Sequence, residues 1–334
     1  MTERIVDISG VAMVVTDLHG AWEPYARLRD YFLEAHARGE IDTLVFCGDL
    51  IHADKTEPVD ASMEMVLDVM RLQREFGRER VVMLLGNHEL PHIYGITLAR
   101  GDQIFTTLFE AALSRLDGEF RRHDVVGFLS GLPFYARSQA GVLLSHAGAA
   151  PSLINTEFVR RLFSFDHESL LERAAEHLDS YGVEQLCREY EQITRAPYEL
   201  QAPEFLAVSG QHDSRYYDLL RGFVISNSYP EFDLLWAALF SQNERDGNLK
   251  RYSAIVELFL QRVSELSSYP QRVLVAGHMG VQDGYAEIGR YQLRLASYTH
   301  ARPLAKARFL VFDTEKPVSR VRDLFDGLQF TLSL

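Results

Sequence analysis

Residues 81–89 read Val81-Val82-Met83-Leu84-Leu85-Gly86-Asn87-His88-Glu89: five apolar side chains, a glycine, then an amide, an imidazole and a carboxylate. A short apolar run stopped by glycine is the pattern of a buried strand that delivers polar groups at its C-terminal end. The pattern recurs along the chain. Val11 to Val15 run into Thr16-Asp17-Leu18-His19-Gly20, and Thr43 to Cys47 into Gly48-Asp49. Val142 to Leu144 run into Ser145-His146-Ala147-Gly148, and Val273 to Ala276 into Gly277-His278. Between the first three runs, residues 25–38 and 62–76 have helical spacing, with Met63, Val66, Leu67 and Met70 on one stripe. Strand, helix, strand predicts a layered α/β core whose ligand site lies beyond the strand ends. Residues 291–297 and 308–312 return to strand-like alternation.

The 334 residues suffice for two domains, or for one large domain with an insertion. We expect a single domain over 1–334 with a mainly helical insertion at 155–230, rich in charge and punctuated at its end by Pro197 and Pro203. Its apolar positions Phe158, Leu162, Phe163, Leu170 and Leu171 suit a lid or a dimer contact. Thirty-four Lys and Arg against 47 Asp and Glu leave a formal charge of −13, a field that repels polyanions and excludes a broad nucleic-acid surface. No apolar stretch approaches the length of a membrane span, and the run Leu234 to Phe240 reads as core. Cys47 and Cys187 are too few for a disulfide framework, and MTERIVDISG has no leader pattern, so a cytoplasmic location is expected.

Taken together, the strand-end residues Asp17, His19, Asp49, Asn87, His146 and His278 form a set of oxygen and nitrogen ligands, suited to manganese, iron or zinc. In an extended segment residues two apart point the same way, so Asp17 and His19 can grip one ion, and Asp49 can bridge two. Two such cations acidify a shared water to hydroxide and clamp the attacking and leaving oxygens of an in-line displacement, which makes a phosphate ester the natural substrate. With Asn87 facing a metal, His88 faces the leaving group and can donate its proton.

At these residues the sequence resembles the calcineurin-like metallophosphoesterases and, within them, the bacterial branch of the phosphoprotein phosphatases. The family pattern GDxHG, GDxVDRG, GNHE, HGG and a late histidine is met by TDLHG, GDLIHAD, GNHE, HAG and AGHMGVQDGY, and Asp233-Leu234-Leu235-Trp236 resembles the family's DLLW. The resemblance implies a β-sandwich flanked by helices and two divalent cations, manganese foremost. Asp17, His19 and Asp49 would hold the first metal, and Asp49, Asn87, His146 and His278 the second. His88 would be the general acid, and Asn87 and Arg251 would contact substrate, with Arg245 as the alternative arginine. It also implies a phosphomonoesterase acting on a phosphorylated protein or a small phosphoester. A nucleotide or dinucleoside polyphosphate hydrolase and a non-catalytic phosphate-sensing scaffold are the rival readings.

Two departures stand out. The family's Asp-Arg pair is replaced by His52-Ala53: either Asp54 and Lys55 orient the catalytic histidine and clamp phosphate through a one- or two-residue shift, or the site is remodelled for a different ester. Thr16 replaces the leading glycine and is expected to alter only the turn. His92, His123 and His300 read as polar filler, and His36, His167 and His177 as surface.

Overall fold

The computed structural model describes residues 3–245 and 248–334. Along the chain run strands β1 (Ile5–Asp7), β2 (Val11–Val15), β3 (Thr43–Phe46), β4 (Val81–Met83), β5 (Ala99–Arg100), β6 (Gln103–Ile104), β7 (Tyr135–Arg137), β8 (Val142–Ser145), β9 (Val273–Ala276), β10 (Val281–Gln282), β11 (Tyr285–Ile288), β12 (Gln292–Leu295), β13 (Ala301–Arg302), β14 (Arg308–Asp313) and β15 (Leu328–Phe330). The chain divides into two compact units. One takes in the residues up to Asn87, Leu132–Phe165 and the chain from Leu234 onward; the other takes in His88–Gly131 and Asp166–Asp233.

The first unit carries two sheets, ordered β15-β14-β2-β3-β4 and β1-β7-β8-β9-β12-β11. Side chains alternate along each strand, and the inward set from both sheets forms one core. Ala12, Val14, Val45, Val82 and Leu310 from the first sheet join Ala136, Val142, Leu144, Val273, Val275, Leu293 and Leu295 from the second. The other face of the five-stranded sheet is also buried: Met13, Val15, Leu44 and Phe46 are all 2 % exposed or less, and Phe46 stacks on Tyr25 of the helix Trp22–Ala37 at 5.8 Å. Burial on both faces is why these strands read as continuous apolar runs. Strands β2, β3 and β4 pair in parallel, as do β8, β9 and β12. Parallel neighbours end side by side, which gathers the loops after β2, β3 and β4 at one sheet edge and those after β8 and β9 at another.

The 155–230 segment forms the helices Thr156–Phe163, His167–Tyr181, Val183–Thr194, Tyr198–Leu206 and Asp218–Ser228. The first belongs to the first unit and the rest to the second, along with His88–Gly131. His167 departs from its expected surface position. It is 1 % exposed, with Nδ1 2.6 Å from the Tyr94 hydroxyl. The reason is positional, since His167 heads the buried stripe His167, Leu170, Ala174, Leu178 of an otherwise charged helix. No helix among the described residues is long and apolar enough to cross a membrane.

Leu144 has no exposed surface and sits in the core between the sheets. Leu144→Ala is expected to cost about 2–5 kcal/mol through lost transfer energy and a residual cavity. A urea titration should show a lower midpoint at unchanged slope.

Candidate metal centre

Backbone hydrogen bonds fix the loops before any side chain acts. The N–H groups of Leu18 and His19 donate to the Asp49 carbonyl at 3.1 and 3.0 Å, and Gly20 donates to Leu50 at 2.8 Å. Gly277 donates to the His146 carbonyl at 3.0 Å, joining the loops after β8 and β9. The two sheets meet where the His278 N–H lies 2.9 and 3.0 Å from the two Asp17 carboxylate oxygens. These turns need left-handed backbone at residues with side chains: φ is +40° at Asp17, +45° at His19, +52° at Asp49, +69° at His52 and +67° at His278. Each such residue costs on the order of 1–3 kcal/mol, and such strain clusters at functional sites. Gly48, at φ +83°, lies so close to its surroundings that a Cβ would stand 2.7 Å from Gly86 Cα and 3.0 Å from His146 Nδ1.

His146 is wholly buried and its Nδ1 is 2.9 Å from the Cys47 carbonyl. A carbonyl only accepts, so Nδ1 carries the proton and Nε2 presents a lone pair. Burial holds the ring neutral by pushing its pKa down to about 3. That Nε2 lies 3.0 Å from Asn87 Oδ1, 3.0 Å from His278 Nδ1 and 3.4 Å from Asp49 Oδ2. The same Asp49 oxygen is 3.6 Å from His19 Nε2. Burial, then the nearby His146 and His19, also drives the His278 pKa well below the usual histidine range. His278 Nε2 is buried and has no hydrogen-bond partner among the described residues. Lone pairs of a carboxylate, an amide oxygen and neutral imidazoles thus converge with too few protons between them, and a divalent cation is what such a donor set accommodates. The ligand atoms of Asp49, His146 and His278 all lie within 4.8 Å of one another, and so do those of Asp17, His19 and His300.

His300 is the residue that sequence reasoning missed. Its Nε2 is 3.6 Å from Asp17 Oδ1, and its ring meets the His19 ring edge-on at 5.3 Å. Thr16 explains its placement. The Thr16 N–H donates to Ser297 Oγ at 2.9 Å, its hydroxyl donates to the Leu295 carbonyl and accepts from the Ser297 N–H, each at 3.1 Å, and the Thr299 N–H donates to the Asp17 carbonyl at 3.2 Å. Thr16 therefore does more than shape a turn, because it seats the segment carrying His300.

Among the other expected residues, His88 follows Asn87 directly and packs its ring on Phe105 at 5.0 Å. Asp54 lies half-buried in the loop after β3, where its carbonyl accepts from Glu57 N–H at 2.9 Å. His52 is 2 % exposed, and its N–H donates to Ser62 Oγ at 2.7 Å. Arg251 is exposed in the first turn of the helix Leu249–Glu265, its N–H capped by Asn248 at 2.9 Å. The charge of Arg245, by contrast, contributes to lowering the His278 pKa.

Residues 11–191, more than half of the chain, match the family described as calcineurin-like phosphoesterase, and the chain belongs to that family. It is accordingly a hydrolase of phosphoesters, of a family that normally binds divalent metals. Among solved structures it is similar to a protein serine/threonine phosphatase from Saccharomyces cerevisiae, at 13 % identity and a TM-score of 0.46, over 92 % of this chain and 76 % of that one. It is also similar to a cold-active protein-tyrosine phosphatase of a psychrophilic Shewanella, at 12 % identity and a TM-score of 0.40, over 93 % and 78 %. A comparison with curated proteins finds no match.

A Cβ on Gly277 would overlap the Asp17 carboxylate. Gly277→Ala is therefore expected to turn Asp17 away and to lower bound divalent metal, read by elemental analysis after gel filtration, while circular dichroism stays native. His300→Ala should weaken metal retention by about ten-fold or more, as losses of metal-site neighbours commonly do.

Proposed function

We propose that the chain is a phosphomonoesterase with two divalent cations, manganese foremost, acting on phosphoserine, phosphothreonine or phosphotyrosine in proteins. One observation carries this reading: a single buried oxygen of Asp49 stands within 3.6 Å of imidazole nitrogens from both ligand groups, the position of a bridging carboxylate. Asp17, His19 and Asp49, with His300 beside them, would hold the first cation; Asp49, Asn87, His146 and His278 would hold the second. Bound there, the cations would lower the pKa of water and neutralise phosphoryl charge.

The remaining work falls to the chain. Cys47 fixes the His146 tautomer through its carbonyl, and burial keeps His146 and His278 neutral so that their lone pairs stay available. His88 supplies the proton to the departing alkoxide or phenolate, with Asp54 orienting it. For the phosphate oxygens a guanidinium fork is required; Arg245 and Arg251 are both exposed, and the charge of Arg245 reaches His278, which favours Arg245 for that role. The 155–230 helices would restrict substrate size.

The test is hydrolysis of p-nitrophenyl phosphate, phosphopeptides and dinucleoside polyphosphates by the metal-loaded enzyme, alongside elemental analysis. Phosphopeptides are expected to be the best physiological substrates, and a chelator should abolish turnover that manganese restores. His88→Asn should lower kcat by about 100-fold or more, the range of a lost general acid, and Asp49→Asn, which removes the proposed bridging carboxylate, should lower kcat together with bound metal. Two bound metals without turnover would establish a scaffold, and dinucleotides far outrunning peptides would overturn the protein substrate.

A further inference from the structure

Glu110, in the helix Thr106–Ser114 of the second unit, is 3 % exposed, and a carboxylate so buried must be paired. Its Oε1 lies 2.7 Å from His92 Nδ1, while its Oε2 accepts from Arg122 Nη1 at 2.7 Å and from Arg215 Nη1 at 3.2 Å. One carboxylate oxygen thus serves two guanidiniums. A third, Arg221, has Nη2 2.9 Å from Asp218 Oδ1. These groups line a cleft of about 690 Å³, the size of a small-molecule site.

The arginines are not used up by their carboxylates. Arg121 and Asp213 complete the charged lining, so that four guanidiniums meet three carboxylates, a local cationic excess on a chain of formal charge −13. Burial, moreover, raises the Asp218 pKa despite the surrounding arginines, which weakens its claim as a counter-charge. Donors also remain. Among the described residues Arg122 donates only to Glu110, which leaves its Nε and Nη2, and Arg221, whose Nε is buried, meets Asp218 through Nη2, which leaves its Nη1. A guanidinium holds its five N–H groups in a fixed plane that matches a tetrahedral oxyanion.

We propose that this cleft is a second ligand site, binding a phosphate dianion, free or as the head of a small phosphoester, at Arg122 and Arg221. It shares no residue with the metal centre, so it concerns recognition and not the chemical step. The test is isothermal titration of the full-length, metal-loaded protein with orthophosphate, phosphoserine and glycerol 3-phosphate. Arg122→Gln and Arg221→Gln are each expected to weaken one orthophosphate site by about ten-fold, in line with a lost charge-assisted pair, with Arg221→Lys less affected. Hydrolysis of p-nitrophenyl phosphate should stay unchanged. Among the described residues Arg221 pairs only with Asp218 on its own helix, so its variants are expected to fold even where Arg122→Gln disturbs Glu110, which thermal midpoints check. Binding of orthophosphate alone marks the free ion as the ligand, and binding of all three marks the phosphoryl head; either supports the site. Isotherms of both variants superimposable on the wild type, or a single phosphate site lost only in Asp49→Asn, would overturn it.

Discussion

The Asp49 carboxylate faces the unprotonated Nε2 of His146 at 3.4 Å, with Asn87 Oδ1 and His278 also against that nitrogen at 3.0 Å. Lone pairs buried together without protons between them repel. The surrounding backbone holds these groups in place against that repulsion, which a cation among them would relieve. The Cys47 carbonyl locks the His146 ring, and the His278 N–H holds the Asp17 carboxylate. A loosely held set of the same residues would turn its side chains outward and pair them with water.

Such rigidity comes from the sheets. Parallel pairing of β2 with β3 and of β8 with β9 sets successive loops side by side, and the shared core of Val14, Val45, Leu144 and Val275 holds the two sheets together. The left-handed residues at the strand ends would each relax to ordinary backbone in a flexible chain. Here the paired strands and the cross-loop bonds from Leu18, His19 and Gly20 over-determine their conformation. The stability of the core and the strain of the site are two ends of one arrangement.

This division also explains what the amino-acid pattern disclosed. Strands buried on both faces leave uninterrupted apolar runs, so Val11–Val15 and Val273–Ala276 were expected with the bounds they have. The polar residues expected at the centre follow within two or three residues, so the clustering of Asp17, Asp49, Asn87, His146 and His278 was legible from local context. His300 was not. It lies on an irregular segment beyond β12, and its nearness to Asp17 depends on hydrogen bonds spanning 281 residues, which no local periodicity records. His167 failed for a different reason: its buried stripe was present at helical spacing, but the surrounding charge dominated the reading.

The two departures from the family pattern resolve unequally. At Thr16 a hydroxyl does what a glycine cannot: it donates to Leu295 and accepts from Ser297, binding the β2 loop to the segment that brings an imidazole to Asp17. Residues 16 and 300 therefore form a coupled pair, because losing the hydroxyl frees the segment and losing the imidazole leaves the hydroxyl with no ring to seat beside Asp17. At residues 52–53 no such exchange occurs. His52 turns left-handed and gives its N–H to Ser62, and Ala53 offers no guanidinium, so the phosphate grip must come from elsewhere in the chain. The loop after β2 thus gains an imidazole neighbour while the loop after β3 lacks an arginine, and the two changes act on different partners, the one on the Asp17 carboxylate and the other on a phosphate.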